Sequence, residues 1–475
     1  MVPADEGGRL MRTDLLDDPV DGLDEALAAV DAFDDALVAG LLRPRPAQTD
    51  GLAALADALA GTPLASLVAE AAEKTAAGAA GEDHFVALAA ARTALMGSVH
   101  DALTARVADV TGRPVAEETA PPAEGEEEPA ANVLAAARAW LCDLARTGWR
   151  GLDHELVGGA APVVSALLRD PALRRQAALL DGFSAELAAS CPGAGLERIP
   201  VRRWADLWSR ALLLTLPGAA RTPTRSPATG RLLPLGVDVQ EHATAVQAQV
   251  HAVFEPADGA PPRLVRAAVS APKPDTVVGA GLWQLLRPRM SLLTAVSEGR
   301  AMELDAMPLT AEGDLLWDDG RARAGEPADP FATARVALAG ATDPVAAPLD
   351  RHPVRIAAPV LLEGYAAERE DDGAVTFAVA GHRLAVDADR VPAAGPLTPE
   401  VIAASGACLG LLRWDSGRFL LQPLAVETTV RKKTAAVHAG AWAGGTADKA
   451  GARAEKAATD AVAVLRERAG RLLRS

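Results

Sequence analysis

Near residue 220 the chain changes texture. Before that point Ala and Leu recur at helical spacing; beyond it, short apolar runs alternate with Gly, Pro and Asp turns. The first pattern has the period of amphipathic helices. The second has the short runs and tight turns of a barrel or sandwich. No internal repeat of fixed period runs through the chain. At 475 residues it exceeds one hydrophobic core, so two or three domains are expected. The expected fold is therefore α+β and multi-domain: N-terminal helical modules, then a β-rich barrel or sandwich domain, then a C-terminal basic helix.

Punctuation divides the chain further. Residues 1–112 read as a helical module with an acidic start, where Leu23, Leu27, Val30, Leu37 and Leu41 mark one face and Pro44 and Pro46 end the helix. Further helices are expected at 52–59, 64–75 and 84–110. Residues 113–131 hold six Glu, four Pro and no apolar residue larger than Val, the composition of a solvated linker. A second helical module is expected at 132–216, with helices at 133–147, 163–169, 172–189 and 202–216. A linker at 217–230 leads to the β-rich domain at 231–428. Another linker at 429–446 leads to the basic amphipathic helix at 447–475. Strands are expected at 232–239, 245–254, 264–271, 334–339, 355–365, 375–379, 382–386, 408–414 and 419–426, with a helix at 276–286. Asp371-Asp372-Gly373 and Asp415-Ser416-Gly417 read as hairpin turns.

Composition narrows the function. One Tyr and seven Phe argue against aromatic platforms that stack nucleic-acid bases. Cys142, Cys191 and Cys408 are far apart and odd in number, which reads as free thiols in a reducing compartment. The first residues are acidic where a secretory signal would be basic, and no apolar run is long enough to span a bilayer. The expectation is a cytoplasmic protein.

No motif nominates a catalytic, cofactor-binding or metal-binding residue. HExxH, CxxC and HxH are absent, and His242 and His251 flank one expected strand at opposite ends. The acidic run 14–25 lacks the spacing of a calcium loop. Gly279-Ala280-Gly281 lacks a third glycine, its place being taken by Gln284. There is no Walker A loop and no Gly-x-Ser-x-Gly elbow. An enzyme would need a site assembled from scattered residues, most naturally on the β-rich domain.

Two segments have the chemistry of contact surfaces. In 202–210, Trp204 and Trp208 share one helical face, and Arg203 and Arg210 bracket Asp206 at i,i+3 and i,i+4. The pair reads either as a seam against the β-rich domain or as an aromatic and arginine hot spot for a partner protein. The second segment is the C-terminal helix. Residues 431–475 carry ten Lys/Arg against four Asp/Glu, a net of +6, so the rest of the chain carries −22 of the total −16. Lys449, Arg453, Lys456, Arg466 and Arg468 supply part of that charge beside a narrow stripe of Ala454, Ala458, Ala461, Leu465, Ala469 and Leu472. Nucleic acid is one partner for such a helix, opposed by the −22 body. A membrane is disfavoured because the apolar face is mostly Ala. An acidic protein surface, its own or a partner's, is the favoured reading.

The order of these parts, and RWADLWSRALLL at 203–214, resembles uncharacterised actinobacterial proteins. Their gene neighbourhoods hold a MoxR-type AAA+ ATPase, a von Willebrand A domain protein and a SWIM zinc-finger protein. The resemblance implies a non-catalytic adaptor or substrate-recognition subunit of an ATPase-driven assembly. Its protein partners would then include the AAA+ ATPase or the von Willebrand A protein. It carries over no catalytic residue.

Overall fold

A computed structural model describes residues 11–116, 131–219, 224–370, 373–430 and 433–472. The N-terminal half folds as α1 (Leu23–Ala39), α2 (Pro46–Ala58), α3 (Ala65–Ala76), α4 (Glu82–Thr111), α5 (Ala131–Thr147), α6 (His154–Gly158), α7 (Ala160–Leu167), α8 (Arg174–Ala189) and α9 (Val201–Leu213). The two expected helical modules share one core. Phe33 of α1 and Leu88 of α4 lie in the same buried cluster as Leu141 of α5, Phe183 of α8 and Trp208 of α9. Two glycines make the closest approach. A Cβ on Gly148 would lie 2.2 Å from the backbone nitrogen of Gly40, and both residues have positive φ. Only glycine fits at both ends of this contact. It lets Leu41 and Leu42 donate to the carbonyls of Ala145 and Arg146 at 2.9 and 3.1 Å.

Beyond residue 220 the chain builds two sheets. The first uses β1 (Arg225–Glu241), β2 (Ala245–Pro256), β3 (Arg263–Pro272), β4 (Arg300–Thr310), β5 (Asp314–Leu315) and β6 (Ala322–Pro327). Its pairing path runs β1-β2-β3-β5-β4 and returns from β4 to β1, with β6 on the far edge of β4. The second uses β7 (Ala358–Glu363), β8 (Ala366–Arg369), β9 (Val375–Val379), β10 (His382–Val386), β11 (Ser405–Asp415), β12 (Arg418–Val430) and β13 (Lys433–His438). Its order is β7-β11-β12-β10-β9-β8, with β13 also on β12. Ser416 and Gly417 both have positive φ between Asp415 and Arg418, as a type I′ turn requires. Asp371 and Asp372 of the other expected turn lie outside the described residues. Short helices α10 (Leu282–Leu286), α11 (Leu292–Glu298), α12 (Pro330–Ala337) and α13 (Pro399–Ala403) join the strands, and α14 (Lys449–Leu472) ends the chain.

The 30-residue α4 joins the two halves. Its Leu88, Leu95 and Met96 belong to the helical core. Its Val99, Leu103 and Val107 belong to the core of the sheets. The helical and β-rich parts are thus tied by a continuous rod.

Several expectations are corrected. The start of the 113–131 linker is ordered: Arg113 is buried, ion-pairs with Asp343 at 2.9 Å and donates to the Pro359 carbonyl at 2.6 Å. Its main part, 117–130, lies outside the described residues. The 217–230 linker gives way to β1 from Arg225, where Pro227 sits opposite Pro308. Neither of those residues has an N–H, so this pair donates no ladder hydrogen bond, and neighbouring pairs hold the strands. The 429–446 linker contains the end of β12 and the whole of β13. The strand expected at 334–339 is instead α12 and its end, because Asp329 caps the helix by accepting from the Ala332 N–H at 2.8 Å. Phe331, Ala334 and Leu338 then fall on one buried helical face. The helix expected at 276–286 shrinks to a 3-10 turn and five residues of α10.

Candidate interaction surface

The α9 face lies inside the helical core. Trp204 and Trp208 are both 0% exposed. Trp204 meets Trp149 edge-on at 5.7 Å and donates from Nε1 to Glu186 at 3.0 Å. Trp208 packs on Phe33 at 6.3 Å and donates to the Leu141 carbonyl at 2.9 Å. The ion pairs expected within α9 do not form, because neighbouring elements claim each partner. Arg203 instead donates to Glu186 of α8 at 2.8 and 2.9 Å, which holds that carboxyl below the usual range. Arg210 meets Asp350 at 2.7 Å and donates to the Leu349 carbonyl at 2.7 Å.

Asp206 belongs to a buried cluster. Arg92 of α4 donates to Asp34 through Nε at 2.6 Å and Nη2 at 2.8 Å, and its Nη1 lies 2.7 Å from Asp206. His352 accepts from the Val354 N–H on Nδ1, so its Nε2 carries the hydrogen and donates to Asp206 at 3.1 Å. One guanidinium thus serves two carboxylates. Burial pushes Asp34 up to about 6 although Arg92 pulls it down. The cluster pins α1, α4 and α9 to the segment that precedes β7.

A second buried network crosses the two sheets. Arg413 of β11 donates to Asp238 of β1 at 2.8 Å, and Gln422 of β12 donates to the other Asp238 oxygen at 2.8 Å. His251 of β2 is buried with its Nε2 unpartnered; burial drives it down to about 3, so it stays neutral. His242 sits instead at the exposed β1–β2 turn, beside Thr244, so the two histidines are not brought together. Among the described residues no three His, Cys, Asp or Glu are grouped to hold a metal. Cys142 and Cys408 are buried and Cys191 is half-buried, all three as free thiols; burial pushes Cys142 up to about 12. No helix of the described residues is long and apolar enough to cross a membrane.

The Gly-x-Gly at 279–281 serves packing. A Cβ on Gly281 would lie 2.8 Å from the Ala458 Cβ and 3.0 Å from the Ala454 carbonyl. Glycine here and alanine there let α14 lie close against the turn before α10. Asp448 caps α14 by accepting from the Ala450 and Gly451 N–H groups, both at 2.9 Å. Arg287 reaches Glu455 at 3.0 Å and the Ala443 carbonyl at 2.6 Å. Gly451 and Ala458 are buried, and Ala454, Ala461 and Val462 are half-buried on one face. Lys449, Arg453 and Lys456 point outward, exposed and without an ion pair among the described residues. Past Val462 the helix leaves the body: Val464 and Leu465 are 45% and 44% exposed, and Arg468 is exposed. The side chain of Arg466 lies outside the described residues.

Sequence reasoning located α14 and its charge but missed its seat. The signal was present as small residues, Gly281 against Ala454 and Ala458, spaced for close contact. Comparison of this chain with protein-family models, with curated proteins and with solved structures finds no match.

Proposed function

We propose that this protein is a non-catalytic adaptor, a rigid body that presents α14 to a protein partner. The observation that carries the reading is the divided α14. Its first half is anchored by Ala458 and the Arg287–Glu455 pair, while its second half projects with Val464, Leu465 and Arg468 exposed. An anchored helix presents its free end at lower entropic cost than a loose tail. Its outward cations select an acidic partner surface and steer encounter. In this reading the strand ring of the first sheet is a small barrel that serves as platform. The buried α9 tryptophans stabilise that platform, while Arg203 and Arg210 hold neighbouring elements. Three separate free thiols suit the cytoplasm. The resemblance at 203–214 points to an assembly with a MoxR-type AAA+ ATPase or a von Willebrand A protein. The nucleic-acid reading has no comparable support, since the −22 body repels a polyanion.

The test is co-elution with a MoxR-type AAA+ ATPase and a von Willebrand A protein of the source organism. Changing Lys449, Arg453, Lys456, Arg466 and Arg468 to Gln is expected to abolish co-elution at moderate salt and weaken it at low salt. Folding is unaffected, because the three side chains described nearest the body are exposed. Co-elution unchanged by the five substitutions contradicts the assignment of α14.

A further inference from the structure

Between β1 and the end of β13 lies a small, partly open cavity of about 30 Å³. Its walls include Pro234 and Gly236 of β1, Val296 of α11, Arg300 of β4, Pro330 of α12 and His438 of β13. Two irregular pairings border it. The β1–β2 register shifts between Pro234 and Gly236, and the β4–β6 register shifts between Arg300 and Met302. Such bulges bend a strand and re-aim its side chains. Arg300 and His438 are the two polar side chains of the lining, and the rest is apolar.

Both polar groups have donors to spare. Arg300 donates from Nη2 to the Gly325 carbonyl at 2.6 Å, but its Nε is buried with no hydrogen-bond partner. The guanidinium has no ion pair among the described residues. A buried donor left without an acceptor costs its desolvation in full. The His438 ring has no hydrogen-bond partner among the described residues either. Burial holds it below the usual histidine range, so at neutral pH the imidazole is uncharged and offers one N–H. Asp329 is the acid whose charge acts on His438, and its carboxylate already caps α12 by accepting from the Ala332 N–H at 2.8 Å. The cavity thus combines a guanidinium without a counter-charge, a second N–H donor and apolar walls. A water needs about 10–15 Å³ of such room, so the space suits a ligand of about two or three small groups.

We propose that this cavity binds a small carboxylate anion of acetate size, one oxygen accepting from the Arg300 Nε–H and the other from the His438 N–H. A planar carboxylate brings both acceptors and the charge that Arg300 lacks. Its short apolar end meets the Pro234, Val296 and Pro330 walls. Bound there, it ties the start of β4 to the end of β13, the strand that leads into α14.

Calorimetric titration of the full chain with sodium acetate tests this, in a background of sodium gluconate, a carboxylate too bulky for the cavity. Acetate is expected to bind at one site per chain with a dissociation constant on the order of 1 mM, the scale open to so small a ligand. Sodium chloride, which brings charge but no second acceptor, is expected to bind about tenfold more weakly. Arg300→Gln is expected to weaken acetate binding about tenfold, the loss of one charge-assisted contact. Ala328 is half-buried and lines the cavity, so Ala328→Val fills the space without removing either donor and is expected to abolish binding. The urea midpoint of each variant reports whether it is folded. Absence of acetate binding to the native chain, chloride binding as tight as acetate binding, or native affinity in either folded variant would overturn the proposal.

Discussion

Replacing Arg92 with Met is expected to destabilise the protein by about 3–5 kcal/mol, the cost of leaving buried carboxylates without their cation. Asp34 and Arg92 side chains are both 2% exposed, so water cannot replace the lost partner. Asp206 keeps only His352. The readout is the midpoint of urea unfolding at neutral pH. The double change Arg92→Met with Asp34→Leu should recover most of the loss, because a matched apolar pair removes both the charge and its solvation cost. Asp34→Asn alone separates the two contributions. Burial raises Asp34 from 3.8 to about 6, so the stability tied to its protonation is present below about 4 and lost as pH rises through 6. The asparagine variant should therefore gain on the native protein between those limits. A midpoint unmoved by Arg92→Met would show that the cluster is solvated and that α4 is not held to α1 and α9 through it.

The second large effect is expected at Trp208. Its change to Ala removes a fully buried ring, its contact with Phe33 and the hydrogen bond to the Leu141 carbonyl. The expected loss is about 3–5 kcal/mol. Because α9 packs on both α4 and α5, the loss should appear across the whole helical part rather than in α9 alone. Hydrogen exchange that accelerates in α9 but not in α4 or α5 would contradict one shared helical core. The distinction matters for function. A tryptophan whose loss unfolds the platform will also abolish partner capture, without itself touching the partner.

Much of the architecture was legible because apolar periodicity is a local property. The switch near residue 220, the first three strands and the β11–β12 hairpin all follow from patterns a few residues long. What escaped depended on tertiary neighbours. β4 reads poorly as a strand because Glu303 and Asp305 interrupt its apolar run, yet pairing with β1 and β6 holds it. The 334–339 apolar run reads as a strand by itself, and only the Asp329 cap and Pro330 start of α12 make it helical. Arg113 was counted among linker residues, and only Asp343, 230 positions away, shows why it is buried. The α9 motif was legible as a helix with an aromatic face. The partners of its charges lie on α8, on α4 and before β7, beyond the reach of any local spacing.

The most direct measurement is hydrogen exchange along α14, first for the protein alone and then for its complex with the co-eluting partner. In the free protein, amides from 450 to 462 should be protected, because Asp448 and the helix accept from them and this stretch is packed on the body. Those from 463 to 472 should exchange quickly, since a short helical extension without packing is marginal in water. In the complex the second stretch should become protected while the first is unchanged. Equal protection of both stretches in the free protein, or no change in the second on complex formation, would contradict the claim that α14 is an anchored helix with a free end that binds.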